Sequence, residues 1–347
     1  MTRYLSEHAT GAPATLKAKG DDLKTFLEWF TWAYGGDSVE RWNRAATNAF
    51  LQALQSARDE AEKPRWANRS INRKLDHLRT FARWILAQVP CPLFADPMQG
   101  IKRLDVPLLQ AQRISDRDML RLETAARNLI GTETKRDRKR ITLGTSELRK
   151  NTRPFRDYAI FALLRGSGLR VQAVASLNLE QVQGRRLVKV KEKGSQERDV
   201  VISSDAMEAL RHYIETERPI DADAWNGGRS LFLSIPCEAR KRNDGLKGRM
   251  DVRTVRYVIE KIARKALGDE GASRIHPHLF RHNMGFLMNE KGGITAVQRQ
   301  LAHKNITYSA VYCQRTDEEL EGYLDEGDAR GKAPKASDPF GGVRGAW

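Results

Sequence analysis

The stretch VPCPLFADPMQGIKRLDVPLL, from Val89 to Leu109, breaks the chain into two parts. Pro90, Pro92, Pro97 and Pro107 each lack an amide donor and fix φ, so no helix runs through it. It reads as a proline-stiffened linker, placed over residues 96–113. The 347 residues are enough for a separate core on each side. Apolar residues recur at helical spacing along most of the chain and alternate clearly in one short stretch. The predicted fold class is therefore mainly α with a small antiparallel β-sheet.

Upstream of the linker, residues 1–20 are expected to form a flexible arm and residues 21–95 a helical domain. In DDLKTFLEWFTWAYGG, Leu23, Phe26, Leu27 and Phe30 share one face, and Gly35-Gly36 ends the helix. A second periodic segment near residues 39–58 carries Val39, Trp42, Leu51 and Leu54. In NRSINRKLDHLRTFARWILAQV, Ser70 is a natural N-cap and Ile71, Leu75, Leu78, Phe81 and Ile85 form the buried stripe. Arg69, Arg73, Lys74, Arg79 and Arg83 lie off that stripe, a basic face suited to phosphates or to solvent.

Downstream, a domain is expected over residues 114–316, then a helix at 317–330 and a disordered tail at 331–347. Ser115 caps its first helix, with Asp116 and Asp118 in the opening turn. Residues 127–154 hold nine Lys or Arg against three acids and read as a mobile loop. Lys135, Arg136, Arg138, Lys139 and Arg140 are its candidate phosphate contacts. RPFRDYAIFALLRGSGL is a strongly apolar helix ended by Gly166 and Gly168. RRLVKVKEKGSQERDVVIS alternates about Gly194, the pattern of a hairpin of two short strands. Two amphipathic helices follow, the first capped by Ser203 or Ser204 and the second by Asp251.

Charge narrows the partner. Lys plus Arg total 60 against 44 Asp plus Glu, and a net +16 points to a polyanion, with nucleic acid foremost. No run of about 18 apolar residues appears, so no membrane span is expected. MTRYLSEHATGAPATLKAKGDD carries no apolar signal core, so a cytoplasmic location is expected. Cys91, Cys237 and Cys313 lie far apart with no C-x-x-C pair, which argues against a disulfide framework or a cysteine zinc site. His276, His278 and His282 lack the glutamate of H-E-x-x-H, so no metal is assigned there. No phosphate-binding loop motif appears and no cofactor is expected.

Four dispersed pieces of the second domain carry the chemistry. They are GSGLR, ending in Arg170; EKGSQER, with Lys193; HPHLFRH, with His278 and Arg281; and LAHKNITYSAVY, with His303 and Tyr312. Their order and spacing resemble the catalytic domain of the tyrosine recombinases, the phage-integrase family. There an arginine follows a glycine-leucine turn, a lysine sits in a β-hairpin and a His-x-x-Arg pair opens a helix. A later histidine precedes the nucleophilic tyrosine by nine residues, which selects Tyr312 rather than Tyr308. The resemblance implies a core-binding domain followed by a catalytic domain. It also implies a DNA-assembled homo-oligomer, a tetramer in the synapse, with the segment after Tyr312 docking on a neighbour; any accessory protein is unspecified.

The implied chemistry is coherent. A phosphorane carrying extra negative charge needs preorganised cations, and Arg170 and Arg281 supply charged forks. His278 handles the proton of the attacking hydroxyl, and His303 donates to a phosphate oxygen. Lys193 protonates the departing 5′ oxygen, and Tyr312 forms a 3′-phosphotyrosyl bond that stores the energy for rejoining. The chain departs from the family pattern at Ala173, where an acid that positions the first arginine is usual; Glu180 or Glu197 are candidate substitutes. Ala302 and Glu192 stand where glycine is usual, and Glu192 is placed to temper the charge of Lys193. Two other readings stay open here: a type IB topoisomerase-like nicking and closing enzyme, and a DNA-binding regulator with a relict site.

Overall fold

A computed structural model describes residues 1–107, 112–142, 152–192, 196–225, 227–235, 248–303 and 305–313, with the backbone alone at 132–142 and 307. The chain divides into two units, Met1–Leu109 and Gln110–Trp347. The first is built from α1 (Thr2–Glu7), α2 (Pro13–Tyr34), α3 (Arg44–Ser56) and α4 (Asn68–Leu86). Residues 1–20 are therefore not the flexible arm expected: they form α1 and the opening turns of α2. Pro13 suits the start of α2, where a missing amide forfeits no bond. Tyr4 holds α1 down. It is buried, its hydroxyl donates to Thr80 Oγ1 at 3.0 Å, and its ring packs on Phe81 and Trp84.

The core of this unit joins Leu23, Phe26 and Phe30 of α2 to Phe50 of α3 and to Ile71, Leu75, Leu78, Phe81 and Ile85 of α4. The expected stripe of α4 is thus the buried one. The linker expected from residue 96 is, through Asp105, a strap packed on this unit, because Met98 and Ile101 are buried in the same core. Asn68 and Asn72 donate to the Asp105 and Leu104 carbonyls at 2.9 and 2.8 Å. α4 starts after Ala67 rather than at Ser70. Those asparagine contacts stabilise one more turn upstream.

The second unit contains α5 (Asp116–Thr142), α6 (Pro154–Ser167), α7 (Val171–Ser176), α8 (Ser204–Thr216), α9 (Arg218–Ala224), α10 (Val252–Arg274), α11 (Pro277–Leu301) and α12 (Thr307–Ala310). α6 is apolar nearly all round and is accordingly central, packed by α5, α8, α10 and α11. Ser115, Ser203 and Asp251 accept amide hydrogen bonds at the starts of α5, α8 and α10. The loop expected over 127–154 is corrected at its start: α5 continues to Thr142. Residues 132–142 are rich in Lys and Arg, with no proline to stop the helix. β1 (Val182–Gln183), β2 (Arg186–Lys191) and β3 (Glu197–Val201) form an antiparallel sheet in that order, one strand more than the hairpin expected. Among the described residues no helix is long and apolar enough to cross a membrane. The C-terminal helix and tail expected at 317–347 lie outside the described residues.

A buried charge cluster ties α2 to α4. Asp22, 2% exposed, accepts from Arg73 Nε at 2.9 Å and Lys74 Nζ at 2.9 Å, with His77 Nδ1 at 2.8 Å. Burial pushes its carboxyl up, but the hydrogen bonds and charges of Arg73 and Lys74 pull it lower still, below the ordinary value. Its stabilising contribution is therefore present above the ordinary carboxylate pKa and lost as pH falls below that range. Asp22→Ala leaves Lys74 buried without its partner and is expected to cost about 3–5 kcal/mol, read by denaturant unfolding at neutral pH. A cost under about 1 kcal/mol, the surface-pair level, would contradict it.

Candidate active site

α6 ends at Gly168, whose φ of 68° is left-handed and turns the chain so that Arg170 becomes the N-cap of α7. α11 opens with Pro277 in its first turn, and its spacing puts His278, Arg281 and His282 on one face. Arg281 is 1% exposed and donates to the Gly168 carbonyl at 2.9 Å and to the Leu301 carbonyl. Arg281 and Leu301 are 20 residues apart, which in a straight helix is about 30 Å. The break at Gly293, with φ 68°, brings the end of α11 back to its beginning. Burial first, then the charge of Arg170, lowers the Arg281 guanidinium to about 10, so it stays charged at neutral pH.

Beyond Leu301 the chain turns through Ala302, at φ 49° and ψ 53°. A side chain is disfavoured in this left-handed region, which is why glycine suits the position. α12 and a 3₁₀ turn over Val311–Cys313 then bring Tyr312 onto α11. Tyr312 is 5% exposed, and its hydroxyl lies 3.0 Å from His282 Nδ1, within hydrogen-bond distance. Its ring lies on Gly285, where a Cβ would come within 2.6 Å of it, and stacks on His303 with centroids 6.1 Å apart. The Tyr312 carbonyl accepts from Asn289 Nδ2 at 3.0 Å. His303 Nδ1 lies 2.9 Å from Ser309 Oγ; with that hydroxyl donating, Nε2 keeps the imidazole proton. Tyr308 is 66% exposed.

The electrostatics follow from this packing. Burial raises the Tyr312 phenol above its ordinary value, against the opposing pull of Arg281 and Arg170. His282 is lowered to about 4 by burial and then by His278, and His303 to about 4 by burial and then by Arg281. His278 is lowered too, by burial and then Arg281. At neutral pH the imidazoles of His282 and His303 are uncharged, while Arg281 carries positive charge.

Arg170 pairs with the Glu192 carboxylate, whose other oxygen takes Arg198 Nη2 at 3.2 Å. Neither substitute acid expected for the Ala173 position does this: Glu180 pairs with Arg229 at 2.8 Å, and Glu197 is exposed. Glu192 thus engages arginines rather than acting on Lys193 alone, and Lys193 itself lies outside the described residues. On α4, Lys74 is 2% exposed and bound to Asp22, so it does not belong to a DNA-facing set. Arg73 also engages Asp22, and Arg79 engages Asp76 and the Ile101 carbonyl. Arg69 and Arg83 are exposed. The side chains of Lys135, Arg136, Arg138, Lys139 and Arg140 lie outside the described residues.

Arg170, His278, Arg281, His303 and Tyr312 therefore belong to one site, linked by contacts or by the electrostatic influences described. Sequence reasoning missed His282, Ser309 and the Glu192–Arg198 pair. His282 had a readable signal, one helical turn beyond His278; the pair had none. Difference ultraviolet titration of wild type against Tyr312→Phe is expected to show the missing phenol ionising above the ordinary tyrosine range, near 10. Ionisation at or below that range would contradict the burial.

The family model described as the phage integrase family matches residues 137–319, more than half of the chain. Tyrosine recombinase XerA of Thermococcus onnurineus (strain NA1) is 33% identical over 168 residues, 48% of this chain and 53% of that protein. The chain thus spans about half the length of that relative. Tyrosine recombinase XerC of Chromobacterium violaceum is 28% identical over 273 residues, 78% of this chain and 77% of that protein. In fold, the chain is similar to XerH site-specific recombinase bound to a palindromic difH substrate, with TM-score 0.65 and 12% identity over 91% of this chain and 80% of that one. With its arginines, histidines and tyrosine gathered at one site, this chain belongs to the phage integrase family.

Proposed function

We propose that the chain is a cytoplasmic site-specific DNA recombinase that cuts and rejoins duplex DNA through a 3′-phosphotyrosyl bond at Tyr312. The observation that carries this reading is the buried Tyr312 phenol, bonded to His282 Nδ1 at 3.0 Å and under the influence of Arg170 and Arg281. Membership of the family and the XerA, XerC and XerH likenesses support it.

In the proposed step, the Tyr312 oxygen attacks phosphorus and the phosphorus–5′ oxygen bond breaks. The phenol proton passes to the neutral imidazoles, with His282 in contact and His278 beside it at 4.6 Å between ring centroids. Lys193 returns a proton to the 5′ oxygen. Arg281 has two of its five donors on backbone carbonyls, which leaves others for a non-bridging oxygen. Arg170, anchored to Glu192, offers the second fork. His303 donates from Nε2. The phosphotyrosyl bond keeps the energy of the bond it replaces, so rejoining needs no ATP. Assembly on DNA as a homo-oligomer, a tetramer in the synapse, completes the reading.

A nicked suicide duplex, built on a site selected by the full chain from a randomised duplex pool, tests it. Wild type and Tyr308→Phe are expected to trap a covalent adduct, and Tyr312→Phe none; the reverse pattern would overturn the assignment. Arg170→Ala should slow adduct formation by about a hundred- to a thousandfold, as removal of one transition-state donor does. Supercoil relaxation without recombinants from paired sites would favour the topoisomerase-like reading instead. On the same duplex, Arg83→Ala is expected to reduce the salt dependence of binding by about one contact. An unchanged slope would place Arg83 off the DNA.

A further inference from the structure

Among the described residues, the carboxylate that meets Arg170 is that of Glu192, just past the end of β2. Its oxygens are divided: Oε2 takes Arg170 Nη1, and Oε1 takes Arg198 Nη2 at 3.2 Å. The Glu192 side chain is 7% exposed and that of Arg170 36%. Arg198 also donates to the Arg299 and Gln300 carbonyls at 3.5 and 3.0 Å. The next carbonyl, of Leu301, is the one held by Arg281. Both arginines of the site are thereby referred to a single short stretch of backbone, Arg299–Leu301.

The geometry points to Glu192 as a positioning residue for strand cleavage, acting through Arg170 and resting on the recombinase reading. A free arginine samples many rotamers, and it must be fixed before a phosphate can use it in the transition state. A buried carboxylate does this with a charge-assisted bond, leaving the remaining donors of the fork open. Glu192 also puts one negative charge among Arg170, Arg198 and Arg281, which would otherwise repel one another. Ala173, one turn into α7 and 3% exposed, offers Arg170 only a methyl group. The β2–β3 hairpin therefore contributes to the site through Glu192, independently of the side chain of Lys193.

The same contact admits a rival role with the opposite sign, in which Glu192 competes with the phosphate for Arg170. Single-turnover cleavage of the selected suicide duplex, with equilibrium binding to the intact duplex measured alongside, separates the two. Glu192→Gln is expected to bind at least as tightly as wild type and to form the Tyr312 adduct roughly ten- to a hundredfold more slowly, the cost of a misplaced catalytic group. Glu192→Asp, which keeps the charge on a shorter arm, should bind normally and also cleave more slowly; it carries the test if the Gln variant fails to fold. Cleavage at or above the wild-type rate by the folded variants would overturn the inference. So would equal losses of binding and cleavage, the mark of a structural role. Failure of wild type to form any adduct would instead sink the recombinase reading.

Discussion

Arg281 reaches the Gly168 and Leu301 carbonyls from inside the second unit, and the placement of the reactive segment depends on those two bonds. Gly168 ends the central helix α6 and directs Arg170; Leu301 ends α11 and leads into the segment carrying His303 and Tyr312. One planar, charged side chain thus joins the two pieces of backbone that deliver the other groups. Hydrogen bonds from a charged donor contribute roughly 1.5–3 kcal/mol each, enough to hold the returning half of α11 in register. A lysine could not span two carbonyls with the same fixed fork.

The site's electrostatics follow from packing arginines beside the buried Arg281 and Tyr312 side chains. Burial and mutual repulsion lower the guanidinium of Arg281 and the imidazoles of His278, His282 and His303. The outcome differs by chemistry. Arg281 starts so high that, even lowered to about 10, it remains charged at neutral pH, whereas His282 and His303, at about 4, are neutral. In the proposed reaction, charge stabilisation and proton transfer thereby fall to different residues. Glu192 moderates the repulsion, and its pair with Arg198 links the sheet to the end of α11.

The candidate site was legible through the resemblance to the tyrosine recombinases, whose pattern falls here at local punctuation: Arg170 after a glycine turn, His278 and Arg281 at a helix start, Tyr312 nine residues past His303. Helical stripes such as Ile71, Leu75 and Leu78 were readable directly, since periodicity of 3.6 is a local property. The errors came where distant contacts overrode local appearance. Polar, proline-containing ends looked loose, yet Tyr4 and Met98 anchor them in the first core. Lys74 looked like part of a basic face, yet Asp22, 52 residues away, draws it inward.

The sequence by itself determined that this is a largely helical, basic chain in two parts, with an ordered set of arginine, histidine and tyrosine positions. The helicity, the charge and the division follow from composition and near-neighbour spacing, and the set of site positions from the family resemblance that those motifs carry. Only the tertiary structure decided that α11 turns back at Gly293, that the Tyr312 hydroxyl rests on His282, and that the acid serving Arg170 is Glu192. The physical reason is that a hydrogen bond depends on where side chains meet in space. Residues 20 or 30 positions apart meet only after backbone turns and buried charges have set the path between them.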